Sequence, residues 1–332
     1  MPKAALREAL AQAVARVAPG AAPPLTFERP RDAAHGDYAS NVAMLLAKPL
    51  GMRPLAVAEA LAAALPASPA IARVTAAAPG FLNFRIADAA LAEAIAKLLA
   101  EPPSTGPLPA GALARLDSLE AMRREVHREA LAGLLKSAPD CDEDHAGVAG
   151  PVRLLRDGKP AGALSPEALV AEVGEAATRL HLLTRQLDRP IEVDLAQAVR
   201  ETADNPSFYL GHAHARLVGI MRLAAEAGLH PEALAWGPSS VAGLVHPEER
   251  ALLLLLAASA EAFAEAAAAG MPHRAIRHAL EVAEAFHRFY TVHRVLGEAG
   301  PSPERLVLVA AARRVLRQVL ERVVRVPAPE AL

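Results

Sequence analysis

Long segments with apolar residues at helical spacing fill the second half of this 332-residue chain, and they constrain its fold more than any other feature. Most of them are bounded by Gly, Pro or a hydroxyl residue, as helices usually are. The predicted helices are Pro166–Val173, Ala176–Gln186, Ser207–Ala227, Pro247–Ala269, His273–Leu296 and Pro303–Val324. Because successive helices of this length with short connections pack side by side, we predict an antiparallel α-helical bundle over residues 165–332.

The first 100 residues have a mixed pattern. Two β-type segments, Ile71–Ala77 and Phe81–Ile86, flank the turn signal Pro79-Gly80. Helical patterns surround them at Met1–Val17, Asp37–Ala47, Pro54–Leu65 and Asp88–Leu99. The predicted class is therefore α+β and mostly helical, with a small N-terminal α/β domain over residues 1–100 and the C-terminal bundle.

Residues 101–164 separate these two domains. Glu101–Gly111 contains four prolines and cannot be helical throughout, so we predict a linker there. One predicted helix, Leu116–Leu135, is followed by an acidic loop, Pro139–Gly150. A short strand, Val152–Leu155, then turns at Asp157-Gly158.

Composition excludes several classes of protein. The chain is 53% hydrophobic and 22% charged, which excludes a disordered protein. Its single cysteine, Cys141, excludes a disulfide framework, and we interpret the acidic loop Cys141–His145 as solvated rather than metal-binding. Arg7 and Glu8 interrupt the first apolar segment, and the run Ala251–Ala260 is too short to span a bilayer. We expect a soluble, cytoplasmic protein with no leader and no metal.

Several motifs occur in a fixed order along the chain. The first two are HGDYASNVAMLLAK at His35–Lys48 and PGFLNFRI at Pro79–Ile86. The bundle contributes NPSFYLGHAHAR at Asn205–Arg216, FHRFY at Phe286–Tyr290 and ERLVLVAAARRVL at Glu304–Leu316. Together they resemble the terminal domains of arginyl-tRNA synthetases, over roughly residues 1–100 and 150–332. The resemblance implies an N-terminal domain that binds the tRNA D-loop and a DALR anticodon-binding bundle of the class I synthetase type.

The middle of the chain departs from this family. At Pro103–Ala114, which reads PSTGPLPAGALA, Pro109 and Ala112 stand where the family has two histidines that bind nucleotide phosphates. Only four residues separate the strand Val152–Lys159 from the helical segment Leu164–Gly174, so the family's lysine-rich loop is missing. Phosphoryl chemistry depends on such cations and fixed donors. The resemblance therefore implies a chain without catalytic residues and without a cofactor.

Length supports the same interpretation. About 35 residues lie between Arg115 and Pro151, which is enough for one βαβ unit of roughly 30 residues but not for a nucleotide-binding domain. No GxxxxGK[ST] or GxGxxG motif occurs in the chain. We predict a truncated relative whose catalytic domain is largely deleted.

The resemblance also implies candidate binding residues. Those for the D-loop are Phe81 and Asn83, although Phe81 could equally be part of a strand core. Those for the anticodon region are Asn205, Tyr209, His212, His214 and Arg216. His212 replaces an expected tyrosine, and helix packing is the alternative role for Tyr209 and His214. The basic last helix offers Arg313, Arg314 and Arg317 as phosphate contacts, with an ordinary solvated face as the alternative.

Three functions remain open at this stage. The first is a protein that binds tRNA-Arg or a tRNA-like RNA and does not aminoacylate it. The second is a genuine arginine–tRNA ligase with a reduced site. The third is a protein-interaction module whose partner is the full-length synthetase.

Overall fold

The computed structural model describes residues 2–30, 32–101, 113–135, 147–293, 295–297 and 300–331. The chain divides into two compact units. The first unit comprises Met1–Leu98 and Ala235–Glu261, and the second comprises Leu99–Leu234 and Ala262–Leu332. The predicted residues Pro109, Ala112 and Cys141, with most of the predicted linker and acidic loop, lie outside the described residues.

The first unit is built around a three-stranded antiparallel sheet. Its elements are α1 (Pro2–Val17), β1 (Tyr38–Ser40), α2 (Val42–Leu50), α3 (Pro54–Ala64), β2 (Ile71–Ala77), β3 (Phe81–Ile86), α4 (Asp88–Ala100) and α10 (Pro238–Ala242). The strand order is β1-β3-β2, and Tyr38 and Val74 both pair with Phe84. Leu82, Phe84 and Ile86 alternate along β3 and are buried on the core face of the sheet, as period-2 patterning requires.

The second unit is mostly helical. Its elements are α5 (Leu119–Leu135), β4 (Val152–Arg156), β5 (Lys159–Pro160), α6 (Pro166–Val173), α7 (Glu175–Leu182), β6 (Ile191–Asp194), α8 (Leu195–Ala198), α9 (Pro206–Glu226), α12 (Pro272–Val292), β7 (Leu296–Gly297), β8 (Gly300–Pro301) and α13 (Pro303–Gln318). A π-helical turn, Val319–Val324, continues α13. The long helices α9, α12 and α13 pack against one another, and β4 pairs with β5 on one side and β6 on the other.

Helix α11 (Pro247–Ala268) has its residues up to Glu261 in the first unit. Among the described residues it is the one helix long and apolar enough to cross a membrane, with a mean hydropathy of 1.7 in its most apolar window. Half of that window is buried inside the protein, which is ordinary for a core helix.

Most predicted elements are confirmed, and the α+β, mostly helical class is correct. The helix predicted at Asp37–Ala47 is wrong, because the chain forms β1 before α2 begins at Val42. Gly36 explains the difference: it has φ +89° and lies so close to β3 that a Cβ would stand 2.7 Å from the Phe84 carbonyl oxygen. The adjacent Asp37 N–H donates to that carbonyl at 2.8 Å, so the chain enters β1 already paired with β3.

Two further differences concern the second unit. The sequence did not predict β6, a four-residue strand that pairs in parallel with β4. The helix predicted at His273–Leu296 ends at Val292. The domain boundaries at residues 100 and 164 stay a prediction. The sequence did not predict that Ala235–Glu261 belongs with the N-terminal unit.

Candidate nucleic-acid interface

Helix α9 carries most of the predicted anticodon-region residues, and Asn205 sets its start. The Asn205 side chain is buried and accepts from the Ser207 N–H at 3.1 Å as the N-cap. Its amide nitrogen donates to the carbonyls of Ala198 at 2.9 Å and Arg200 at 2.8 Å. These local bonds give Asn205 a structural role, which is to fix the first turn from which the next residues project.

Tyr209, His212 and Arg216 lie on one side of α9, since their spacing of three and four residues brings them onto neighbouring turns. They face His287 and Tyr290 of α12, and we call these five residues the aromatic face. The Tyr209 hydroxyl and His287 Nδ1 are hydrogen-bonded at 2.9 Å, with the rings edge to face at 5.0 Å between centroids. The His212 and His287 rings are 6.5 Å apart.

The aromatic face is partly open to solvent. Tyr209 and His212 are half-buried, and Arg216 is exposed with its guanidinium 4.7 Å from the centre of the Tyr290 ring. Burial lowers the pKa of His287, and the nearby Arg216 and His212 lower it further. Burial raises the pKa of the Tyr209 hydroxyl, to which Glu284 also contributes. These shifts favour the neutral forms of His287 and Tyr209. Rings beside the Arg216 guanidinium suit stacking on unpaired bases.

His214 lies elsewhere. Its side chain is fully buried, and its Nδ1 is 2.8 Å from the Pro329 carbonyl, to which the Nδ1–H tautomer donates. Its Nε2 is buried and has no partner within the described part of the chain. Burial lowers the pKa of His214, with Arg313 and Arg317 acting in the same direction. The structure thus places His214 against the C-terminal segment and not on the aromatic face.

The D-loop candidates lie together on the outer face of the sheet in the first unit. Phe81 and Asn83 point away from the core face, because they alternate with Leu82 and Phe84 along β3. Asn83 is only 7% exposed, between Ala39 on β1 and Thr75 on β2. Phe81 is half-buried at the start of the strand.

Arg85 is a further cation on this outer face and was not predicted. It continues the alternation of Phe81 and Asn83, and its Nη1 donates to Asp37 Oδ1 at 3.2 Å. Asp37 is buried and also accepts from the Ile86 N–H at 2.7 Å. Arg250 of α11 donates to both Asp37 oxygens, at 3.0 and 2.8 Å, and to Asp88 at 2.8 Å.

The three arginines predicted on the last helix share a cleft of about 250 Å³ in the second unit. Arg313, Arg314 and Arg317 line one wall, one to four residues apart on α13. Arg314 Nη2 donates to the Leu99 carbonyl at 3.3 Å, and Arg317 Nε donates to Glu321 at 2.8 Å. This arginine cleft is a concave cationic surface.

Reasoning from the sequence missed three of these features. His287 and Tyr290 belong to the FHRFY motif, and their three-residue spacing could have indicated one helix face. Arg85 follows the alternation of PGFLNFRI, which could have placed it beside Asn83. No local sequence pattern indicated a role for Arg250. Among the described residues, no group of three or more His, Cys, Asp or Glu side chains could hold a metal ion.

Comparison with known proteins matches both ends of the chain. Residues 4–86 match the family model of the arginyl tRNA synthetase N-terminal domain, and residues 210–332 match that of the DALR anticodon binding domain. The two ends of the chain are thus similar to an arginyl-tRNA synthetase N-terminal domain and to an anticodon-binding domain. The chain belongs to the arginyl-tRNA synthetase family.

The chain is shorter than its curated relatives. It is 34% identical over 189 residues to an arginine–tRNA ligase of Desulfosudis oleivorans, covering 54% of this chain and 34% of that protein. It is 41% identical over 160 residues to one of Heliobacterium modesticaldum, covering 46% of this chain and 28% of that protein. The chain therefore spans about a third of the length of the curated relatives that it matches.

Solved structures agree with the fold. The chain is similar to the arginyl-tRNA synthetase of Thermus thermophilus with a TM-score of 0.67 and 16% identity, and the match covers 100% of both chains. It is similar to the arginyl-tRNA synthetase of Plasmodium falciparum with a TM-score of 0.69 and 9% identity, and the match covers 98% of both. At these identities the likeness concerns the fold.

Proposed function

We propose that this protein is a cytoplasmic tRNA-binding member of the family that does not aminoacylate its RNA. The aromatic face carries the proposal: the half-buried rings of Tyr209, His212 and Tyr290 lie on one surface with the exposed Arg216, whose guanidinium lies over the Tyr290 ring. Rings and a planar guanidinium at one surface are the groups that stack on bases of a single-stranded loop. The loop expected here is the anticodon loop of tRNA-Arg or of a tRNA-like RNA.

A second surface supports the same proposal. On the outer face of the sheet, Phe81 supplies a half-buried ring and Arg85 a cation within one strand, with the amide of Asn83, 7% exposed, between them. An aromatic ring beside an amide suits an unpaired base of the D-loop, and Arg85 suits the phosphate next to it.

Binding of a tRNA-Arg transcript, measured by fluorescence anisotropy over a range of salt concentrations, tests the proposal. Tyr209→Ala removes one stacking ring and should weaken binding by about 1–3 kcal/mol, roughly 5- to 150-fold, with the salt slope unchanged. Tyr209→Phe keeps the ring and loses only the hydrogen bond to His287, so it should bind nearly as the wild type does. Wild-type protein that binds no tRNA at low salt would leave the interaction with a full-length synthetase as the better explanation.

The absence of aminoacylation is tested separately. We expect no arginine-dependent ATP–pyrophosphate exchange, with or without tRNA, because Pro109 and Ala112 can neither donate a hydrogen bond nor carry charge from their side chains. Exchange above the background of a protein-free control would instead support a genuine ligase with a reduced site. That result would not affect the tRNA-binding measurement.

A further inference from the structure

The arginine cleft brings three guanidinium groups together beside an apolar wall. Leu99, Met221, Pro231 and Ala310 line the cleft together with Arg313, Arg314 and Arg317. The apolar wall reduces access of water, so the guanidinium groups there are less well hydrated than on an open helix face.

Two guanidinium nitrogens at the cleft have no described hydrogen-bond partner, although carboxylates lie nearby. Glu321 accepts from Arg317 at 2.8 Å, and Glu101 lies 3.9 Å from Arg322, the next arginine along the chain. Glu101 also accepts from Gln318 at 2.6 Å. The Nε atoms of Arg313 and Arg314 are buried and have no hydrogen-bond partner among the described residues.

Electrostatics at Arg314 agree with this geometry. Burial lowers the pKa of Arg314, and Glu101 acts to raise it. Arg322, Arg317 and Arg313 lower it further, because like charges disfavour the protonated form. Neighbouring guanidinium groups that are partly buried and repel one another are stabilised when an oxyanion binds between them.

We infer that the arginine cleft binds a single phosphate group. The planar fork of a guanidinium matches the oxygens of a phosphate, and adjacent arginines on one helix face can bind it together. At about 250 Å³ the cleft is smaller than the roughly 300–1,000 Å³ of sites for drug-sized ligands, so it holds the phosphate and little more. The phosphate belongs either to an RNA backbone or to a small phosphorylated molecule. The first of these sources rests on the proposed function.

Inorganic phosphate is the probe. Titration calorimetry and the thermal unfolding midpoint are followed against phosphate, with sodium chloride at matched ionic strength as the reference. The wild type should bind phosphate and unfold at a higher temperature than in chloride. Arg313→Gln and Arg317→Gln should each weaken phosphate binding at least tenfold, and Arg317→Lys should retain part of it because it keeps the charge but not the fork.

Arg288→Gln is the matched control, because Arg288 is exposed on α12 and its described ion pair is with Glu284 on the same helix. This variant should bind phosphate as the wild type does. A wild-type midpoint that responds equally to phosphate and chloride, or an Arg313→Gln variant that is folded and binds phosphate normally, would overturn the inference.

The tRNA arm identifies the source of the phosphate. If the cleft holds an RNA phosphate, Arg313→Gln should lower the log–log salt slope of tRNA binding by about 0.7 and phosphate should compete with tRNA. If phosphate binds through these arginines and tRNA does not bind, the proposed function fails and the cleft serves a small phosphorylated molecule. If tRNA binds and phosphate does not, the inference fails and the proposed function stands.

Discussion

Arg250 is a buried cation held by two carboxylates of the first unit. Its side chain is 8% exposed and that of Asp37 is 1% exposed. Burial alone would lower the pKa of Arg250, but the bonds to Asp37 and Asp88 outweigh burial and raise it. Arg250 also donates to the Ile86 carbonyl at 3.0 Å, so one side chain joins α11 to β3 and to the start of α4.

Replacement of Arg250 should destabilise the protein strongly. Arg250→Gln leaves the Asp37 carboxylate buried, with Arg85 as its cation among the described residues, and loss of one partner of a buried pair costs about 3–5 kcal/mol. Urea unfolding measures the free energy, and hydrogen exchange should show loss of protection in β3. The exposed pair of Arg288 provides the comparison: Arg288→Gln should change the free energy of unfolding by less than about 1 kcal/mol. Equal effects of the two substitutions would contradict the structural role of Arg250.

His127 on α5 gives a prediction about pH. Burial lowers its pKa to about 4, with Arg123 and His273 acting in the same direction. In the unfolded chain an imidazole titrates near 6.5, so between pH 6.5 and 4 the unfolded state binds a proton that the folded state does not. The stabilisation from neutral His127 is therefore complete above pH 6.5 and is lost as the pH falls towards 4, by up to about 3 kcal/mol.

Urea unfolding at pH 7, 5.5 and 4.5 tests this dependence. His127→Gln should reduce the loss of stability on acidification, although buried His181 and His214, whose pKa values are also lowered, keep part of it. Replacement of the exposed His35 by Gln is the control for loss of a surface imidazole. A His127→Gln profile parallel to that of the wild type would show that His127 does not titrate as described.

Local patterns predicted single residues only where the relevant partners are close in sequence. The start of α9 was predicted at Ser207, one residue from its actual start at Pro206, because a proline and an apolar-periodic run follow Asn205. The Asp37–Arg250 pair joins positions 213 residues apart, and the sequence around either residue does not indicate the other as its partner. The aromatic face has the same property, because Tyr209 meets His287 only after two long helices have packed.

At the scale of elements, length decided what could be predicted. Helices of three or more turns repeat their apolar pattern often enough to be recognised, as in α9 and α13. Strands β1 and β6 have three and four residues, too few to show alternation, and β1 is specified by its contact with β3. Short strands are defined by their neighbours in space, so sequence patterns do not reveal them.

The packing of α5 on the C-terminal π-helical turn depends on Gly133. A Cβ at this position would lie 1.6 Å from the backbone oxygen of Arg322, a distance that requires the helix or the turn to move. Gly133→Ala should therefore destabilise the protein by about 1–3 kcal/mol or more, as overpacking does. Gly219→Ala is the matched control, because Gly219 lies inside α9 with no atom within 4 Å of the new Cβ.

Thermal and urea unfolding should show opposite changes in the free energy of unfolding for the two glycine variants. Gly219→Ala should stabilise the protein by about 0.5–1 kcal/mol, since alanine loses less backbone entropy in a helix. Stabilisation by both substitutions would mean that α5 does not pack as closely on Arg322 as described.

At the scale of the whole molecule, the first unit is not continuous along the chain. Besides Arg250, Ala235–Glu261 supplies Trp236, whose indole N–H donates to the Ala92 carbonyl at 3.0 Å. A fragment ending at residue 100, the domain boundary that the sequence predicts, lacks both contacts. We expect its β3 amides to exchange faster than those of the full chain, and its unfolding midpoint in urea to be lower than that of the first unit in the full chain.

A second fragment makes this test specific. Addition of a peptide spanning residues 235–261 to the fragment should restore part of the protection in β3, and the same peptide with Arg250→Gln should not. If residues 1–100 alone exchange as slowly as in the full chain, the discontinuous segment does not stabilise the first unit.

The discontinuity of the first unit has a consequence during synthesis on the ribosome. Residues up to Leu98 leave the ribosome first, but the unit is complete only after Glu261 has been added. At roughly 5–20 residues per second, the nascent sheet waits about 10–30 s for its last helix. Over that interval Asp37 has Arg85 but not Arg250, and the neighbouring apolar surface is open to chaperones or to a second nascent chain.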